Sequence, residues 1–202
     1  MSRFHVALAL AALVVVSGCT IPGGSLTAEA NPASVDEGAL DATGYAVDES
    51  ATIALNETVG IEGEDREVGV KNHIETYARN GESGRFVVFS TPSPDTDDGP
   101  VNPFAKRSER RDVGRMLGEV NNTSALVVEN RQNVTMAGQR TELVTYATTN
   151  RSGETTTPVF VHVAVAQNAG DAVVAVGVHP QSVDAEGSTK RLVEGVEHGE
   201  SA

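Results

Sequence analysis

The stretch PVFVHVAVA, residues 158–166, constrains the fold more than any other part of the chain. Successive side chains of a strand point to opposite sides. Val159, Val161, Val163 and Val165 therefore form one face, and Phe160, His162, Ala164 and Ala166 the other. A second apolar run, AVVAVGV at residues 172–178, follows after a short polar break. Both runs are short, rich in β-branched residues and bounded by Asn, Gly or Pro, which marks buried strands and not helices. A chain organised around them is built on a sheet.

The same period recurs upstream. Ile53, Leu55, Val59 and Ile61 fit a strand with one irregularity, and EGED at 62–65 predicts a turn. Val68, Val70, Ile74 and Ala78 fit its partner, with Lys71, His73, Glu75 and Tyr77 on the other face. Residues 85–90 (RFVVFS) read as a third strand, and TPSPDTDDGPVNP after them as a loop. Residues 125–136 and 140–149 read as a hairpin across AGQ.

Helical signals are fewer. Ser34-Val-Asp-Glu37 matches a capping box and predicts a short helix over 35–42. Ser108 can cap a helix in which Val113, Met116, Leu117 and Val120 recur on one stripe. A last amphipathic helix carries Leu192, Val193 and Val196, with His198 closing it. The order is helix, three strands, helix, four strands, helix. That order predicts an α+β fold with a largely antiparallel sheet of about six to seven strands and helices packed on it. An α/β/α sandwich is one arrangement it allows.

The N-terminus reads as a targeting segment. Arg3 precedes an unbroken apolar run from Val6 to Val16. Eleven residues fit a signal-peptide core and fall short of the about 20 needed to span a bilayer. Ser17, Gly18 and then Cys19, the single cysteine of the chain, close it. Residues 1–18 are expected to be a signal peptide and Cys19 the lipid attachment point. Residues 19–33 would be a flexible tether, 34–198 one extracytoplasmic domain and 199–202 a tail. A lipidated Cys19 leaves no thiol for a disulfide or a cysteine metal site, so the core alone must hold the fold. Stable anchoring needs two acyl chains, which suits a diacylglyceryl group. The expected location is the cell membrane, lipid-anchored and facing outside.

Composition narrows the partners. The chain has 15 Lys+Arg against 28 Asp+Glu, a formal net charge of −13. Only Lys71, Lys106 and Lys190 are lysines, aromatics make up 4% and Trp is absent. Phosphate backbones need a basic stripe and bases need stacking platforms, so nucleic acid is excluded as the expected partner. An acidic, lysine-poor chain rich in small residues is similar to proteins of halophilic archaea. In molar salt the screening length is about 3 Å, so the charge would serve hydration and not steering.

Five Asn-x-Ser/Thr sequons, at Asn56, Asn121, Asn122, Asn133 and Asn150, are glycosylation candidates on an exported surface. The densest basic stretch is KRSERRDVGR. Its Lys106, Arg107, Arg110, Arg111 and Arg115 are a candidate contact face for anionic headgroups or an acidic surface protein. Pairing with Glu109 and Asp112 on a solvated helix is the simpler use of the same residues.

Histidines are the main suspects for chemistry. His73, His162 and His179 lie on strands and could converge on a metal with a carboxylate. Their spacing does not require it. No His-Glu-x-x-His or Gly-x-Ser-x-Gly motif occurs, and Ser90 in FSTP stands without a recognisable His or Asp partner. No catalytic residue, metal ligand or cofactor is expected.

The segments VVSGC, ATGYAVDES, VKNHIETYAR, FSTP, VNPF, VAVGVHP and LVEGVEH together resemble an uncharacterised family of halophilic-archaeal lipoproteins, a domain of unknown function. Val-Ser-Gly-Cys19 itself resembles the lipobox of secreted lipoproteins. The element order is also similar to the PsbP/Mog1-type α/β/α sandwich. These resemblances imply a lipid-anchored extracytoplasmic domain and transfer no active site. The leading functional expectation is a non-catalytic surface interaction or accessory domain. One alternative is a carrier or sensor of a small or apolar ligand held between sheet and helices, lined by Phe86, Phe89 and Phe160. A hydrolase with an unrecognised site is the other.

Overall fold

The computed structural model describes residues 26–61, 64–79, 81, 84–93, 95, 96, 99, 100, 126–152 and 155–199. Cys19, Asn121, Asn122, the basic stretch from Lys106 to Arg115 and the helix expected from Ser108 lie outside the described residues.

The sheet is built of strands β1 (Leu26–Glu29), β3 (Ala46–Ile61), β4 (Glu64–Ala78), β5 (Arg85–Pro92), β8 (Val127–Met136), β9 (Gln139–Ser152), β10 (Thr155–Asn168) and β11 (Asp171–Pro180). Across the sheet the long strands run β3, β4, β5, β11, β10, β9, β8, each antiparallel to its neighbours. β1 pairs with β4 in parallel, with Leu26 opposite Val68, so the eight-stranded sheet is mixed and not purely antiparallel. Strand β2 (Ala33–Val35) forms a separate ribbon with β12 (Val196–His198), and β6 (Asp95–Thr96) pairs with β7 (Gly99–Pro100).

Three expectations need correction here. The flexible tether does not extend to residue 33, because Leu26–Glu29 is already a strand and Ala30 is buried. The first helix, α1, spans Glu37–Thr43 and is capped by Asp36, whose Oδ1 accepts from the Ala39 N–H at 3.0 Å; Ser34 lies in β2 instead. His198 does not close a helix, since α2 (Glu186–Glu194) ends before it and the chain turns at Gly195 into β12.

The central pair β10–β11 explains the core. Their alternation is large against small, not apolar against polar. Val161, Val163, Val174 and Val176 fill one face around Leu126, together with Tyr146 and Val144. The other face presents Ala164, Ala166, Ala175 and Gly177, a shallow floor for α2, whose Leu192 and Val193 are fully buried with Tyr77, Phe86 and Leu143. Each such aliphatic side chain stabilises the fold by about 1.5–3 kcal/mol. Two tight hairpins flank β10–β11 and β8–β9. Their turns, Ala169-Gly170 and Ala137-Gly138, have positive φ at both positions (51° and 82°, 49° and 72°). That is the mirror-image turn whose twist matches antiparallel strands.

Gly177 permits the close approach of α2. A Cβ there would lie 2.5 Å from Thr189 Cγ2. Gly177→Ala is therefore expected to lower stability by about 1–3 kcal/mol through overpacking. Adding Thr189→Ser removes the opposing methyl and should restore most of the loss, as read by urea denaturation of the single and double variants.

Candidate functional site

Beyond the edge of the alanine and glycine floor, the helix-facing side of β10–β11 carries its most unusual residues. Phe160 stands opposite His179 and His162 opposite Gly177 in the ladder, so the two histidines are diagonal neighbours on one face. Both are buried. Their Nε2 atoms lie 2.9 Å apart, with ring centroids at 5.0 Å and planes inclined by 16°. That separation places the imidazoles edge to edge, sharing one hydrogen bond. Phe160 packs against the His179 ring at 5.8 Å, edge to face. Thr145, directly across from His162 on β9, brings its Oγ1 within 2.9 Å of His162 Nδ1.

The contacts assign the protons. The Pro180 carbonyl, 3.0 Å from His179 Nδ1, can only accept, so that nitrogen carries a hydrogen. In a neutral ring His179 Nε2 is then a bare acceptor, and His162 must donate to it from Nε2–H. His162 Nδ1 in turn accepts from the Thr145 hydroxyl. The chain Thr145 to His162 to His179 to Pro180 engages every ring nitrogen. Burial, first, and then the neighbouring His179 hold the pKa of His162 down to about 4, so this ring is neutral at pH 7.

A second buried centre lies at the opposite end of β11. His198 Nε2 is 3.1 Å from Asp171 Oδ2, which also accepts the Asn31 N–H at 2.8 Å. Ser90 Oγ donates to the Asn31 carbonyl at 2.6 Å. Among the described residues no partner reaches His198 Nδ1. These contacts tie the chain entering from β1 and the chain leaving through β12 to one end of the sheet. Ser90, which lies across from His73 in the β4–β5 ladder, thus gives its hydroxyl hydrogen to the backbone.

A third cluster lies over β4. Tyr77, fully buried, donates to Glu75 Oε2 and accepts the Val35 N–H at 2.7 Å. Burial and Glu75 both push its phenol pKa up, so the hydroxyl stays protonated. His73 has its Nδ1 3.1 Å from Thr52 Oγ1 and its Nε2 3.8 Å from Glu29.

Sequence reasoning placed His162 with Phe160 on one face, and the structure agrees; it brings His162 to His179 and leaves His73 elsewhere. Among the described residues no group of three His, Cys, Asp or Glu is arranged to hold a metal. Asp171 was missed, because one carboxylate among many acidic residues carries no signal. Its place immediately before an apolar run after a turn (Asn168-Ala-Gly-Asp171) is the clue that was available. The phenylalanines do not line one space: Phe86 is packed on the helix side, while Phe89 lies on the opposite face. Of the sequons, Asn56 and Asn133 are exposed on β3 and β8, and Asn150 is partly exposed on β9.

Because His162 binds a proton far less readily folded than unfolded, acid favours unfolding. Stability is expected to fall as pH drops from about 6.5, the unfolded value, to about 4, by about 3 kcal/mol in total, and to be complete above that window. His162→Gln can still donate to His179 without titrating, so urea unfolding across pH 4–7 should show a flatter slope for that variant.

Among curated proteins none matches this sequence. The solution structure of cyanobacterial PsbP (CyanoP) from Synechocystis sp. PCC 6803 is similar over 92% of this chain and 99% of that one, with 12% identity and a TM-score of 0.42. A family model described as Domain of unknown function (DUF6517) matches residues 32–197, from the turn before β2 into β12. That span takes in both helices, the β2–β12 ribbon, the histidine pair and Asp171, and the chain belongs to the DUF6517 family.

Proposed function

We propose that this protein is a lipid-anchored extracytoplasmic domain that works as a non-catalytic interaction or accessory module. The observation that carries the non-catalytic reading is the closure of the His162–His179 pair. Its ring nitrogens are engaged with Thr145, with each other and with Pro180, and both rings are buried. A general base must present a free nitrogen to a substrate proton, and these two have none to present.

Support for the anchor comes from the chain itself. The apolar run Val6–Val16 leads through Ser17 and Gly18 to the single cysteine, Cys19. No helix among the described residues is long and apolar enough to cross a membrane, and a lipid on Cys19 supplies attachment without one. Six residues lie between Cys19 and Leu26, the first residue of β1. The domain would sit close to the bilayer. The basic stretch from Lys106 to Arg115 is a candidate contact for anionic headgroups. A net charge of −13 with three lysines suits a halophilic archaeon, where acidic side chains keep the surface hydrated in high salt.

Cys19→Ser is expected to move the protein from the membrane fraction into the medium when the full chain is expressed in its own cell type. Full retention in the membrane fraction would contradict the anchor.

A further inference from the structure

The two outer strands of the sheet are treated differently. β8 is interrupted by a bulge between Val128 and Asn130, carries Arg131 paired with Glu142, and is bridged to α2 by Asn130 and Glu186. Bulges, charges and covering helices are the usual guards of a sheet edge. β3 has few of them. It is sixteen residues long, AVDESATIALNETVGI, and among the described residues it pairs with β4 alone. Its single bulge lies near its start, between Val47 and Glu49, and it contains neither Lys nor Pro. Ile53 and Leu55 point to one side of it and are 40% and 48% exposed.

We infer that β3 pairs antiparallel with β3 of a second copy of this chain, with Ala54 on the two-fold axis. This rests on the interaction reading and names its partner. A two-fold axis normal to a continuous sheet keeps the same face up in both copies, so opposed residues must share parity. Two such registers nearly centre β3 on itself. Centring on Ile53 sets Glu49 against Glu57, a like-charge opposition repeated twice, which destabilises a strand pair. Centring on Ala54 sets Glu49 against Val59 and Glu57 against Ala51, and Ile53 meets Leu55 of the other copy on both sides of the axis. The exposed apolar side chains are thus covered by each other, and Glu49 and Glu57 of the two copies become diagonal neighbours instead of direct opposites. A foreign strand would have to reproduce both features; β3 already has them.

The geometry gives a direct test in the full-length chain in its own membranes. Opposed residues of an antiparallel pair have Cα atoms about 4.5–5.5 Å apart, within disulfide range. Ala54→Cys should therefore form a covalent dimer under mild oxidation. Ser50→Cys, exposed on the same face, would lie about 26 Å along the strand from its own copy and should not. The expected adduct with Ala54→Cys is at least about tenfold that with Ser50→Cys, given the narrow range a disulfide tolerates. It should disappear when Ile53→Lys and Leu55→Lys are added. Equal cross-linking at 50 and 54, no adduct at 54, or an adduct that survives the two lysines would overturn the proposal. An adduct at 54 with a different protein would overturn the second copy and leave the interaction reading standing. Wild-type chain cross-linked through Cys19 would count against the lipid and not against the β3 pairing.

Discussion

The shallow floor of Ala164, Ala166, Ala175 and Gly177 is the constraint on which the rest of the structure depends. A sheet whose centre is buried on both faces must be covered on both. The small residues decide how closely the helix layer can approach. Thr189 sits almost in contact with the Gly177 backbone, and Leu192 and Val193 fill the space between α2 and the sheet. The same close fit recurs where the ribbon meets α1, because a Cβ on Gly195 would lie 2.4 Å from Ala39 Cβ. Interiors packed this densely tolerate little added volume.

Where the floor ends, polarity begins. His162 and His179 occupy the next positions on the same face, and their buried nitrogens can only be accommodated if each finds a partner. The chain from Thr145 to Pro180 meets that condition. At the other end of β11, Asp171 and His198 gather the two terminal segments of the domain onto the sheet. β11 therefore carries a polar centre near each end and an apolar middle. The centres fix register and termini, and the outer strand β3 is left with apolar side chains facing solvent.

Much of this was legible in the sequence because alternation over short β-branched runs directly reports strand faces. The faces of β10, the β3–β4 hairpin, the final helix and the position of Phe160 beside His162 followed from period two and period 3.6. The parallel strand β1 was not legible. LTAE is short and sits among Gly and Pro, and its pairing with β4 depends on a non-local contact that no local pattern encodes. Nor was the helix cap, since Ser34 and Asp36 are both good capping residues and only the start of β2 removes Ser34 from contention. His162 and His179 were each visible, yet their meeting depends on the register of β10 against β11. Asp171 was hidden by the acidity of the whole chain.

The account turns on a histidine pair that is buried and closed on itself. Nitrogen-15 chemical shifts of the imidazole rings at pH 7 test this most directly. The account predicts opposite tautomers: His162 protonated on Nε2 with a bare Nδ1, and His179 protonated on Nδ1 with a bare Nε2. An imidazolium at either position, or the same tautomer in both rings, would contradict it.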